Sequence, residues 1–229
     1  MNILAIDTSG PTCGVAIFSD GIIRFSQTVL NKRTHSVNLM PMVDAAFAFT
    51  GLSLNEMDRL ACVVGPGSFT GVRLGVSTVK GLAHGSGKPC VAVNALEAMA
   101  LGAGRFDGLV CPMQDARAGQ VYAALFRDGM RIASDEPIAL IELAKRLLNV
   151  NQRVLFTGDG MTVHREKIGE LMGEQAAFAE PTFAYLRPET VAEIAAKAEE
   201  TLDYLTLMPL YLRAPSAERN RRLMEAQHE

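Results

Sequence analysis

Between Gly65 and Gly75 the chain reads GPGSFTGVRLG, a glycine-rich stretch with two hydroxyls that runs into an apolar segment. A phosphate cradle of the G-x-x-x-x-G-K-[ST] kind places a lysine after its second glycine to meet the phosphate charge. Here Val72 follows Gly71, and the nearest cation is Arg73. A second candidate is Asp7-Thr8-Ser9, whose hydroxyls and backbone N–H groups could face a phosphate, with Asp115 opposite them. The plainer role for Asp7 is a turn aspartate capping backbone N–H groups. TGDG, Thr157–Gly160, reads as either a phosphate loop or an ordinary strand-end turn. In QDARAGQ, Arg117 stands where a small residue would let phosphate approach. Kinase chemistry therefore lacks its usual complement, although nucleotide binding stays open. His35, His84, His164 and His228 share no metal-ligand spacing, and Cys13, Cys62, Cys90 and Cys111 form no C-x-x-C pair. Buried reduced thiols are expected, with no metal.

The elements that must position these groups can be read from hydrophobic period. NILAIDTS, CGVAIFSDG and IIRFSQTV give three antiparallel strands, with Asp20-Gly21 as a hairpin turn. SVNLMPMVDAAFAFTG is helical and stops at Gly51; Pro41 fits only in its first turn. RLACVVG is a buried parallel strand, Gly71 to about Gly85 a helix capped by Ser68, and PCVAVNA another buried strand. LVCPMQDA and QVYAALFRDG repeat the hairpin, RVLFTGDG is a strand, and helices follow at 161–172 and 189–200. Shifted by 108 residues, DTSGPTCGVAIFSDG lies over DARAGQVYAALFRDG with five identities in fifteen, Asp7 over Asp115 among them. Such self-similarity marks a repeated unit; the plainer reading is two hairpins that share an Asp-Gly turn. Two lobes are expected, 1–104 and 105–229.

Glycine inside a helix costs about 0.5–1 kcal/mol relative to alanine, so several together need a compensating close approach. On the second helix Val72, Val76, Val79 and Ala83 form a stripe for the sheet, whereas Gly71, Gly75, Thr78, Gly81, Leu82 and Gly85 form a narrow second face. The preceding helix is apolar almost all round, through Val37, Leu39, Met40, Met42, Val43, Ala46, Phe47 and Phe49, with Asp44 the main interruption. Either the two helices pack only on each other, or Val37, Met40, Val43, Asp44 and Phe47 join the glycine face as a docking surface.

With 229 residues, 48% of them hydrophobic, and a net charge of −3, the chain can bury a large core and is not built to grip a phosphate backbone alone. MNILAID begins a strand at once, and no apolar run reaches membrane-helix length, so a soluble cytoplasmic protein without a signal peptide is expected. The tail YLRAPSAERNRRLMEAQHE gathers Arg213, Arg219, Arg221 and Arg222, either as a solvated helix or as a small basic footprint. LYLR before it reads as a last ordered segment on the second lobe.

Tandem lobes with Asp-Thr-Ser after the first strand resemble the actin-like ATPase superfamily. AIDTS, GPGSFTGVRLG, DARAGQVY and LYLRAPSAE together resemble its TsaB family of bacterial tRNA threonylcarbamoyladenosine biosynthesis proteins, from Met1 to about Glu218. The resemblance implies an α/β fold of two RNase H-like lobes, each a mixed sheet that opens with an antiparallel meander and is flanked by helices. It also implies a non-catalytic paralogue of the transferase TsaD, acting with TsaD and the ATPase TsaE, and a homodimer in isolation. tRNA would be met through the complex and ATP or ADP at its interface. The TsaD-type metal site is written HMEGH; the corresponding VNALEAM holds Ala95 and Met99 at the histidine positions, which tells against a metallopeptidase. The alternative is a small ATP-dependent phosphotransferase of the acetate- or sugar-kinase type.

Overall fold

The computed structural model describes residues 1–31 and 33–213. The first lobe contains β1 (Asn2–Asp7), β2 (Cys13–Ser19), β3 (Ile22–Val29), α1 (His35–Thr50), β4 (Arg59–Gly65), α2 (Phe69–Ser86), β5 (Cys90–Asn94) and α3 (Ala95–Gly102). The second contains β6 (Leu109–Asp115), β7 (Gln120–Arg127), β8 (Met130–Ala139), α4 (Leu140–Val150), β9 (Val154–Thr157), α5 (Asp159–Met172), β10 (Ala176–Phe178) and α6 (Pro188–Lys197). The strand orders are β3-β2-β1-β4-β5 and β8-β7-β6-β9-β10, one topology used twice. In each lobe the first strand pairs antiparallel with the second and parallel with the fourth. This is the expected pair of lobes, each a mixed sheet that opens with an antiparallel meander.

Local chemistry explains the hairpins. Asp20 and Gly21 have φ of 54° and 86°, and Asp128 and Gly129 have 51° and 77°. Both central residues of each turn are therefore left-handed, as a mirror-image turn requires to match the twist of the flanking strands. One detail of the repeat differs from the ungapped comparison. Asp7 pairs with Gly14, but Tyr122, 108 residues beyond Gly14, pairs with Gln114. The strand-end turn is one residue longer in the second lobe, so the structural counterpart of Asp7 is Gln114 rather than Asp115.

The lobes also exchange helices. α6 lays Val191, Ala192 and Ala195 on Ile3, Ala5 and Ala16 of the first sheet, and α3 sets Leu96 and Ala100 against Val110, Ala124 and Phe126 of the second. The segment after α6 stays with the first lobe: Leu202 bridges to Cys90, Leu207 joins the first core, and the Leu210 amide donates to the Val64 carbonyl at 2.7 Å. The expected second lobe, 105–229, thus loses its last helix to the first, and LYLR packs on the first lobe because Val64 offers it a free strand-end carbonyl. Arg219, Arg221 and Arg222 lie outside the described residues. Pro41 sits in the interior of α1, not in its first turn. Its ring lies on the exposed side near exposed Val37, where water can take the carbonyl that loses its amide partner.

Candidate functional site

The strand-to-helix turn that resembles a phosphate cradle is already filled. Ser68 caps α2, accepting from the Gly71 amide at 3.4 Å, and its own amide donates to the Ser9 carbonyl at 2.7 Å. The Thr8 hydroxyl donates to the Gly71 carbonyl at 2.7 Å. A β-carbon on Gly67 would lie 2.5 Å from the Ser9 carbonyl oxygen and one on Gly75 2.7 Å from the Thr8 hydroxyl, while one on Gly71 would overlap the Thr8 carbonyl. Close backbone approach is thus the compensating benefit of the buried glycines, and the backbone that approaches is the chain's own. Gly81 and Gly85, farther along α2, have nothing within 4 Å of a built β-carbon.

Behind this turn lies a cleft of about 650 Å³ between the lobes, lined by Ser9, Gln114, Asp115, Arg117, Asp159 and Tyr211 among others. Asp7 lies behind Ser9, fully buried. Its Oδ1 accepts from the Ser9 amide at 2.8 Å and the Ser9 hydroxyl at 2.7 Å, the capping role. Burial raises its carboxyl to about 6, against the lowering effect of those bonds and of His35. Asp159 opens α5 and accepts from the Asp115 amide at 3.3 Å. Burial likewise raises it to about 6, with the Asp115 and Asp7 charges adding to the rise. Asp115 itself is partly exposed and lies 3.2 Å from the His164 ring nitrogen. Thr8 and Ser9, expected to face a phosphate, have their hydroxyls committed inside the protein. Arg117 occupies the left-handed region at φ 63°, a conformation in which its amide reaches the Asp115 carboxylate at 3.2 Å.

Alpha helices α1 and α2 lie side by side over the first sheet. Val37 is 54% exposed, Met40 42% and Phe49 83%; Asp44 is exposed with them. Val43 is buried and Phe47 packs against the core, so these two candidates point inward. Gly71 and Gly75 are buried, Thr78 and Leu82 half-buried, and Gly81 exposed. The side chains that α1 turns outward are therefore Val37, Met40, Asp44 and Phe49, and Gly81 and Gly85 of α2 are open as well. Phe49 stacks on Phe25 of β3 with ring centroids 6.2 Å apart. It was legible as part of the apolar run but not as its most exposed member. Ala95 and Met99, at the positions of the transferase's histidines, are buried in the core. Among the described residues no group of three or more His, Cys, Asp and Glu could hold a metal ion, and no helix is long and apolar enough to cross a membrane.

The model of the TsaD family, described as tRNA N6-adenosine threonylcarbamoyltransferase, matches residues 27–225. The Bacillus subtilis tRNA threonylcarbamoyladenosine biosynthesis protein TsaB is 33% identical over 95% of this chain and 96% of that one. Its Haemophilus influenzae namesake is 32% identical over 93% and 94%. The chain belongs to the TsaB family. A solved structure titled YeaZ from Pseudomonas aeruginosa superposes with a TM-score of 0.75 at 26% identity, over 92% of this chain and 99% of that one.

Membership in the TsaB family accounts for the sequence signals that survive and leaves others to geometry. Asp159 was read only as part of the TGDG turn, and Gln114 was not singled out from the sequence. The glycines flanking Asp159 were the available signal for the first. Gln114 had none, because its importance depends on which residue β7 places opposite it.

Proposed function

We propose that this chain is a non-catalytic partner of TsaD, joined by TsaE, in threonylcarbamoylation of the adenosine beside the anticodon of tRNAs that read codons beginning with A. The observation that carries this reading is the set of large apolar side chains that α1 leaves in water, Val37, Met40 and Phe49, with Gly81 and Gly85 of α2 also open. Large apolar side chains grouped on one helix and left in water favour association. The match to the TsaD model supports a partner built on the same fold, whose own paired helices would meet α1 and α2. In isolation the same side chains pair two copies of this chain.

The transfer chemistry belongs to TsaD. Thr8, Ser9 and the glycine string satisfy one another's hydrogen bonds, so little remains at this turn to hold a phosphate. ATP or ADP is assigned to the subunit interface, no metal is required by this chain, and tRNA is reached through the complex in the cytoplasm. The test is modification of tRNA in vitro with TsaD, TsaE and the synthase that makes the threonylcarbamoyl adenylate. Modified tRNA should form only when this chain is included, and this chain with the adenylate and tRNA should yield none. Product without this chain, or from this chain alone, overturns the proposal.

A further inference from the structure

Two buried polar atoms at the lobe junction have no hydrogen-bond partner among the described residues: Oδ2 of Asp7 and Oε1 of Gln114. Both are acceptors, and both belong to nearly inaccessible side chains, at 1% and 2% exposure. They occupy equivalent ends of the first strand of each lobe, since the register makes Gln114 the counterpart of Asp7. Asp7 follows Ile3 and Ala5 on the face turned toward α6, and Gln114 follows Val110 on the face turned toward α3. The two side chains are already linked. Gln114 Nε2 donates to the Ser9 hydroxyl at 3.4 Å, and that hydroxyl donates to Asp7 Oδ1 at 2.7 Å.

A buried acceptor left unpaired is costly, so two beside one network call for a donor. A single proton supplies it. We propose that Asp7 and Gln114 form a proton-dependent latch between the lobes: the protonated Oδ2 of Asp7 donates to Oε1 of Gln114, and loss of that proton releases the junction. Nothing is transferred beyond the proton, which exchanges with solvent when the junction opens.

The surroundings suit a neutral carboxyl. The thiols of Cys13 on β2 and Cys62 on β4 are raised by burial and stay protonated through the range in question. Asp159 on α5 is near enough from the second lobe for the Asp7 charge to help raise its carboxyl, with Asp115 beside it at the end of β6. His35 on α1 is the nearby group that favours the charged form. Its ring nitrogen donates to the Gly10 carbonyl at 2.9 Å, so α1 is tied to the same turn that the latch holds. The raised carboxyl of Asp7 agrees with a latch closed below about pH 6 and released above it.

The test is hydrogen exchange by mass spectrometry on the full chain, reading peptides across 7–14 and 110–117 from pH 5 to 8, corrected for the intrinsic dependence on pH. In the wild type, protection at both peptides should fall together by roughly tenfold or more across a midpoint near 6, as expected when one proton controls opening. Asp7→Asn keeps the acceptor for Ser9 and places a permanent donor at the Oδ2 position. It should hold both peptides protected at every pH. Gln114→Met removes the acceptor at similar size and should leave both peptides exchanging quickly without a step. Asp159→Asn should retain the step. Persistence of the step in Asp7→Asn or in Gln114→Met, its disappearance in Asp159→Asn, or no step in the wild type overturns the latch. If Gln114→Met does not fold, Asp7→Asn decides alone.

Discussion

Helices α1 and α4 occupy the same place in their lobes, and their outward faces differ. α4 buries Leu140, Leu143, Ala144 and Leu147, while its other side carries Glu142, Lys145 and Arg146, with Arg146 bonded to Glu142 and Glu136. It also exposes Ile141, Leu148 and Val150, so the apolar residues at its surface are interspersed with charges of both signs. α1 buries Leu39, Met42, Val43 and Ala46 but turns Val37, Met40 and Phe49 outward, with Asp44 as the one charge in the helix proper. The two sheets share a topology, so topology did not impose this difference. On the proposed reading it makes the first lobe the one that meets TsaD. The strand-to-helix turns, in contrast, share a device. Gly67, Gly71 and Gly75 close on Thr8 and Ser9 in the first lobe, and Gly158 and Gly160 close on Met113 and Gln114 in the second.

That contrast can be broken at several points. The largest effect is expected at the shared device. Gly71→Val would drive its side chain into the Thr8 carbonyl and should cost more than about 3 kcal/mol in denaturant unfolding. Gly160→Val, whose β-carbon would come 2.9 Å from the Gln114 carbonyl carbon, should destabilise in the same direction. Tolerance at either position would show that the turns are not closed on the strand ends.

Asp159→Asn tests the buried charge of the second lobe. Its carboxyl is raised from 3.8 to about 6, so it favours folding below about pH 4, and that contribution is lost as pH climbs through 6. Above that range the variant should be the more stable by roughly 2–3 kcal/mol, because the asparagine carries no charge to bury. The gap should close below pH 4. Thermal melts from pH 4 to 8 measure it, and a variant less stable at pH 8 would mean that the charge is needed where it is.

Association sharpens the comparison of helices. Met40→Glu should weaken binding to TsaD by about tenfold or more, since it sets a charge in an apolar contact worth over 1 kcal/mol. Ile141→Asp on α4, at a residue 53% exposed, should leave that affinity unchanged. Equal losses in titration calorimetry would remove the distinction between the lobes. The smallest effect belongs to Gly81→Ala. With nothing near the added methyl, it should stabilise α2 by about 0.5–1 kcal/mol, opposite in sign to a substitution at Gly71.

Much of this was open to sequence reading, because local chemistry dictates it. The Asp-Gly turns, the Ser68 cap, the Val72–Ala83 stripe and the tandem lobes each follow from neighbours along the chain, where period and turn residues act directly. The exposed side chains of α1 were legible only as an excess of apolar residues on one helix. Which of them face water was not, since a helix apolar on all sides has no period to show its inner face. Pro41 was misplaced for a similar reason: only the packed helix shows which side of it is solvated.

The sequence by itself determined the family, the repeated unit and the missing histidines, because these are matters of residue identity at fixed spacing. Tertiary structure alone decided that the glycines of the cradle-like turn receive Thr8 and Ser9, that α6 and the LYLR segment return to the first lobe, and that Gln114 stands opposite Asp7. Those outcomes depend on strand register and on contacts between residues about a hundred positions apart. A one-residue difference in the length of a turn changes the partner while hardly altering the local pattern, so only the folded chain reveals which buried acceptors share the junction.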